Sequence, residues 1–155
     1  MKNFSSAFTM IELIFVIVVL GILAGVAVPR LAATRDDANI AKIRGDIASI
    51  RSGIALKHGE NMMRGKVEFP NLEGINDSTI FENVINEGIY PNNKNGWTMK
   101  SNGDNTAVYE ACIGKKCAEF TYYKKDVKNA KGEIVHEGGS FDCDHSKAVC
   151  QKLAQ

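Results

Sequence analysis

The residues best suited to chemistry are four cysteines, at 112, 117, 143 and 150, and three histidines, His58, His136 and His145. Thiols in this number support either disulfides or a metal site. Cys112 and Cys117 flank a four-residue segment and can face each other across a hairpin. Cys143 and Cys150 enclose Asp144-His145-Ser146-Lys147-Ala148-Val149, a small C-terminal loop. Four cysteines allow three pairings, and the two local pairs are the reading adopted. Zinc held by Cys112, Cys117, Cys143, His145 and Cys150 is the alternative, but the close CxxC spacing of zinc knuckles is missing. Asp142 and Asp144 offer hard oxygen ligands for calcium. Alternate residues of a strand or turn point to different sides, so solvated loop charges are the simpler reading. The chain carries no nucleophile elbow, no HExxH and no Gly-rich phosphate loop. No catalytic residue, cofactor or resident metal is assigned, and the expected role is not enzymatic.

Lys115, Lys116, Lys124, Lys125, Lys128 and Lys131 form a basic stretch, +4 after Glu119 and Asp126 are subtracted (six minus two). With Tyr122 and Tyr123 it has the ingredients of single-stranded nucleic-acid binding, phosphate contacts and stacking platforms. A hairpin edge guarded by lysines against aggregation is the simpler account. The whole chain has 19 Lys and Arg against 18 Asp and Glu, so there is no global basic character to strengthen the nucleic-acid reading.

Glu12 is harder to explain. Phe8 to Pro29 is a run of 22 residues in which Glu12 is the only charge. As a helix it measures about 33 Å, enough to cross a hydrocarbon core of about 30 Å. A Sec signal peptide would have a shorter apolar core and an Ala-x-Ala-like site after it. A plain membrane anchor has no use for a carboxylate, which costs roughly 2.5–3.5 kcal/mol at mid-span and less near an end. Such a residue has a partner and a task. A cut between Ala7 and Phe8 would remove Met1-Lys2-Asn3-Phe4-Ser5-Ser6-Ala7 and start the helix with a free ammonium. Glu12 would then lie four residues on, one turn along the same face.

The stretch Ala7-Phe8-Thr9-Met10-Ile11-Glu12-Leu13 resembles the prepilin peptidase site of type IV pilins and type II secretion pseudopilins. In that family a small residue, normally Gly, precedes the cut, the first mature residue is an N-methylated Phe, and a Glu occupies the fifth mature position. Phe8 and Glu12 match, and Ala7 departs from the Gly. Gly21 and Pro29 fall where such proteins often carry helix-loosening residues. The motif covers about residues 1–35. The resemblance implies a leader at 1–7, a membrane-spanning and later filament-core half-helix at 8–30, and a periplasmic head at 31–155. It implies like subunits in a filament, a peptidase and methyltransferase, and an inner-membrane assembly platform with a separate ATPase. Membrane lipid would surround the helix before assembly. It assigns Glu12 to assembly, and the family's frequent C-terminal disulfide supports Cys143–Cys150. A subunit at a filament tip or surface that binds DNA or secreted protein is the second reading.

Ile40, Ile43, Ile47, Ile50 and Ile54 recur at intervals of 3, 4, 3 and 4, one face of a helix. The spacing predicts a helix from about Phe8 to His58, with Gly59 as its stop. Asp77-Ser78-Thr79 is expected to cap a short helix over Ile80–Ile85, ended by Gly88. Strands are expected over Trp97–Lys100, Ala107–Ile113, Ala118–Tyr123, Glu133–His136 and Ser140–Cys143, with turns at Gly114-Lys115-Lys116 and over 128–132. The fold class is α+β: a long N-terminal helix whose second half lays its isoleucines on the aromatic side of a small antiparallel sheet.

Overall fold

A computed structural model describes residues 8–74 and 78–154, without the side chains of 28–33. The leader, with Lys2 and Ala7, and the proposed cap residue Asp77 lie outside the described residues. The chain divides into two units, Met1–Asp37 and Ala38–Gln155. Helix α1, Met10–Met63, contributes to both.

In the first unit, Met10–Ala27 is an 18-residue helical window of mean hydropathy 2.8 with none of its residues buried. Among the described residues, this helix is long and apolar enough to cross a membrane. The backbone remains helical through Gly21, Gly25 and Pro29. A helix tolerates proline where its surroundings compensate for the missing N–H, and membranes permit this more readily than water.

In the second unit, the remainder of α1 covers a four-stranded antiparallel sheet. Its strands are β1 (Asn95–Asn102), β2 (Thr106–Ile113), β3 (Lys116–Tyr123) and β6 (Phe141–Cys143), in the order β1-β2-β3-β6. A separate two-stranded hairpin joins β4 (Val127–Lys128) to β5 (Ile134–His136). The period-2 pattern of β2 and β3 fixes their register: Ala107, Tyr109 and Ala111 face the core opposite Tyr122, Phe120 and Ala118. Ile43, Ile47, Ile50 and Ile54 are buried with Trp97, Tyr109, Phe120, Tyr122 and Phe141 in one apolar cluster. The α+β arrangement and the isoleucine face agree with the sequence expectation.

Three local expectations differ from the structure. The helix does not stop at Gly59 but runs on to Met63. An interior Gly costs only about 1 kcal/mol, and the true stop is Gly65, whose φ of +76° suits glycine. Gly65 N–H donates to Met62 O and Lys66 N–H to Asn61 O, both at 2.9 Å, which satisfies the last carbonyls. Residues 80–85 are not a helix. Ile80 and Ile89 exchange two backbone hydrogen bonds, of 2.9 and 2.8 Å, and this bridge pulls the segment into a tight loop. Phe81 adopts φ +63°, unfavourable for an aromatic residue, yet its side chain is fully buried against Trp97, Tyr109 and Phe141. Finally, part of the expected C-terminal loop is helix α2, Ala148–Leu153, which buries Cys150 and Leu153 at i and i+3.

Candidate functional site

The first candidate site is the start of α1. Thr9 precedes the helix, and its Oγ1 accepts a hydrogen bond from the Glu12 backbone N–H at 3.3 Å. Thr9-x-x-Glu12 is therefore the sequence of a capping box, with Glu12 in the helix's first turn, where the macrodipole favours a carboxylate. In sequence, the Thr-x-x-Glu spacing is the signal that marks Thr9 as a cap. Phe8 is 76% exposed and the side chain of Glu12 is also exposed. Phe8, Met10, Ile11, Leu13, Phe15 and Ile17 turn apolar surface outward around the single carboxylate. Such a surface is stable only when lipid or another apolar helix covers it. Gly21 has open space around its backbone, and the side chain of Pro29 is outside the described set.

The cysteines lie in the head. Cys112 and Cys117 are directly opposed on β2 and β3 and are bonded, with Cα atoms 4.1 Å apart. Cys143 and Cys150 are bonded with Cα atoms 5.8 Å apart, which fastens α2 to the end of β6. Glu110 approaches the first pair closely enough to share a metal, but both sulfurs are committed to the disulfide. The cysteine-rich zinc set considered from sequence is thus divided into two covalent pairs. Asp142 Oδ1 instead accepts from Arg51 Nη2 at 3.0 Å and from its neighbour Cys143 N–H at 2.9 Å, while Oδ2 lies 3.1 Å from His145 Nε2. Asp144 Oδ1 accepts from Ser146 N–H, and hydrogen bonds from Ser146 hold its carboxyl below the ordinary range. The two aspartates therefore have separate local partners.

The lysine stretch is not one surface. Lys115 and Lys116 sit at the β2–β3 turn, and Lys124 follows β3 at the opposite end of that strand. Lys124 Nζ is held by Asn102 Oδ1 at 2.8 Å and Gly103 O at 2.7 Å. Tyr122 is buried, and its hydroxyl donates to Pro70 O at 2.7 Å. Tyr123 stacks on His136 with ring centroids 4.3 Å apart. Tyr122 is thus withdrawn from solvent, and one face of Tyr123 is occupied within the fold.

The polar groups of the head tie α1 and the connecting loop to the sheet. Trp97 Nε1 donates to Asp46 Oδ2 at 3.0 Å, and Tyr109 donates to Glu73 Oε1 at 2.6 Å. Arg51 Nε donates to Phe141 O at 3.0 Å, and Arg44 Nε to Lys152 O at 2.8 Å. Burial raises the Asp46 carboxyl above its ordinary range and pushes the Tyr109 and Tyr122 hydroxyls well up. These groups join the head together; none forms a nucleophile–base pair. Asp46 and Arg51 read in sequence only as the polar face of the helix, because their partners lie 51 and 90 residues away.

An exposed apolar half-helix headed by one carboxylate, joined in sequence to a disulfide-bonded α+β head, defines a pilin-like architecture. The prokaryotic N-terminal methylation motif matches residues 2–28. Over 52 residues, 34% of this chain and 45% of the relative, the chain is 44% identical to the type IV narrow pilus major component PilA5 of Thermus thermophilus. Over 56 residues, 36% of this chain and 39% of the relative, it is 38% identical to the type II secretion system core protein G of Pseudomonas aeruginosa. Each alignment therefore spans less than half of the relative's length. No solved structure matches the chain.

Proposed function

We propose that this chain is a structural subunit of a type IV pilus-like filament or type II secretion pseudopilus. The observation that carries this reading is the methylation motif at 2–28 on an apolar helix none of whose window residues is buried. In this account the leader 1–7 is removed between Ala7 and Phe8, and Phe8 is N-methylated. Residues 8–30 are held in the inner membrane as a single pass, and the head from 31 onward lies in the periplasm. The same helix later enters the core of an extracytoplasmic filament of like subunits. A prepilin peptidase and methyltransferase would process the chain, and a membrane platform with its own ATPase would assemble it. Pilins and pseudopilins are structural proteins, and the role proposed involves no catalysis.

Glu12 carries the assembly step. Its carboxylate would neutralise the Phe8 ammonium of a neighbouring subunit within an apolar surround. Either charge alone is expensive there, so pairing them offsets both costs and selects one axial register. Specificity of docking is the expected gain, more than net stability. Gly21 and Pro29 would let the helix loosen as subunits pack. Glu12→Gln keeps shape, removes the charge and leaves insertion intact. Normal cleavage and membrane level with weak or absent assembly is the expected outcome. Assembly at the parental rate and level would show Glu12 to be a helix-end residue alone.

A further inference from the structure

The head unit begins at Ala38, and its first turns organise three cation-bearing segments. Asn39 Nδ2 donates to Asn95 Oδ1 at 3.3 Å, and Gly114 N–H donates to the same oxygen at 3.1 Å. One amide oxygen thus gathers α1, the start of β1 and the β2–β3 turn. Lys42 follows Asn39 by three residues, Lys94 precedes Asn95, and Lys115 and Lys116 follow Gly114. All four lysines are exposed. Lys94, Lys115 and Lys116 have no side-chain hydrogen bond or ion pair among the described residues. Lys94 is set in place by Asn92, whose Oδ1 accepts from the N–H groups of Lys94 and Asn95 at 3.0 and 3.1 Å. The Cys112–Cys117 bridge closes the base of the turn that carries Lys115 and Lys116.

Asp46 and Glu87 share with Lys42 a cleft of about 770 Å³, while Glu110, beside the Cys112–Cys117 bridge, is paired with Lys100 at 3.0 Å and stands opposite Glu119. With Glu110 matched by Lys100, four lysines less Asp46, Glu87 and Glu119 leave +1, and Asp46 is half-buried with one oxygen occupied by Trp97. Asn39 is also close in sequence to the apolar window that ends at Ala27: eleven residues, 28–38, lie between them, and their charges, Arg30 and Arg35 against Asp36 and Asp37, cancel. Even fully extended, that tether reaches about 42 Å at most.

We propose that Lys42, Lys94, Lys115 and Lys116 form a cationic rim that seats the head on anionic lipid headgroups while the subunit waits in the membrane. This rests on the membrane-anchored reading given above. Juxtamembrane lysines are attracted to an anionic leaflet over roughly a Debye length. Two features favour the bilayer as the partner: the short covalent tether to the apolar helix, and the braced turn, which loses little conformational freedom on contact. The rim would orient the head before assembly and release it as the subunit leaves the lipid.

The test uses the full chain in nanodiscs of phosphatidylcholine alone or with one-third phosphatidylglycerol, read by amide hydrogen exchange. In the anionic discs, exchange at 92–95 and 113–117 is expected to slow about tenfold, and high salt should remove the difference. Lys94→Gln/Lys115→Gln/Lys116→Gln should abolish the lipid dependence. Lys128→Gln/Lys131→Gln, beyond the opposite end of β3, should retain it. Equal exchange in both lipids, or equal loss in the two variants, would overturn the rim. A chain that fails to insert at all would overturn the membrane-anchored reading and the rim with it.

Discussion

Asp46 offers a sharp test of how the head is held together, because its two simplest substitutions should behave differently. Asp46 Oδ2 accepts from Nε1 of Trp97, whose side chain is fully buried, at 3.0 Å. Asp46→Ala leaves that indole N–H without an acceptor, at a cost of about 1–3 kcal/mol. Asp46→Asn keeps an acceptor oxygen and has no charge to desolvate, so at neutral pH it should match the parent or exceed it slightly. Burial raises the folded-state pKa of Asp46 above its ordinary value of 3.8. A carboxyl so raised contributes stability that is present below 3.8 and lost as pH rises through the folded value. The advantage of Asp46→Asn over the parent is therefore greatest at neutral pH and shrinks as the solution is acidified towards the unfolded value. Urea unfolding followed by fluorescence is direct, since Trp97 is the only tryptophan in the sequence. An Asp46→Ala head as stable as the parent, or an Asp46→Asn head as weak as Asp46→Ala, would show that the Asp46–Trp97 hydrogen bond does not hold the head together.

Two further outcomes are expected. At Gly53, an added Cβ would meet the backbone carbonyl of Val84 far inside contact distance, with Val84 C at 2.9 Å. Gly53→Ala should therefore cost about 1–3 kcal/mol by forcing the 78–89 loop off α1; an unchanged urea midpoint would argue against that close approach. Truncation before Ala33 should give a soluble, folded head under oxidising conditions, because the buried isoleucines from Ile43 to Ile54 remain. Sedimentation and circular dichroism check this, and an aggregated or unfolded product would contradict it.

The parts of the fold that were legible in sequence depend on short-range periodicity. Ile43, Ile47, Ile50 and Ile54 mark a helix face at spacing 3 to 4, and the alternating Ala107–Ala111 and Ala118–Tyr122 segments mark strands. The illegible parts were decided by tertiary contacts. Residues 80–85 have a plausible cap and helical length, yet the Ile80–Ile89 bridge and the burial of Phe81 outweigh that local preference. Gly59 looked like a stop because sequence cannot tell an interior Gly from one at positive φ, which Gly65 supplies. Helix α2 has only six residues, too few for a period to show. At the candidate site, Phe8 and Glu12 stand out by charge and spacing alone, whereas the ties from Asp46 and Arg51 span 51 and 90 residues and needed the fold.

Intact-mass spectrometry of protein extracted from the cell membrane shows whether the chain is processed and methylated for assembly. The predicted mature chain begins at Phe8 and carries one added methyl group on its amino terminus, with two disulfides intact. Replacing Ala7 by the family's usual Gly should speed its appearance. A chain still starting at Met1, or one cut after Ala33, would contradict the account.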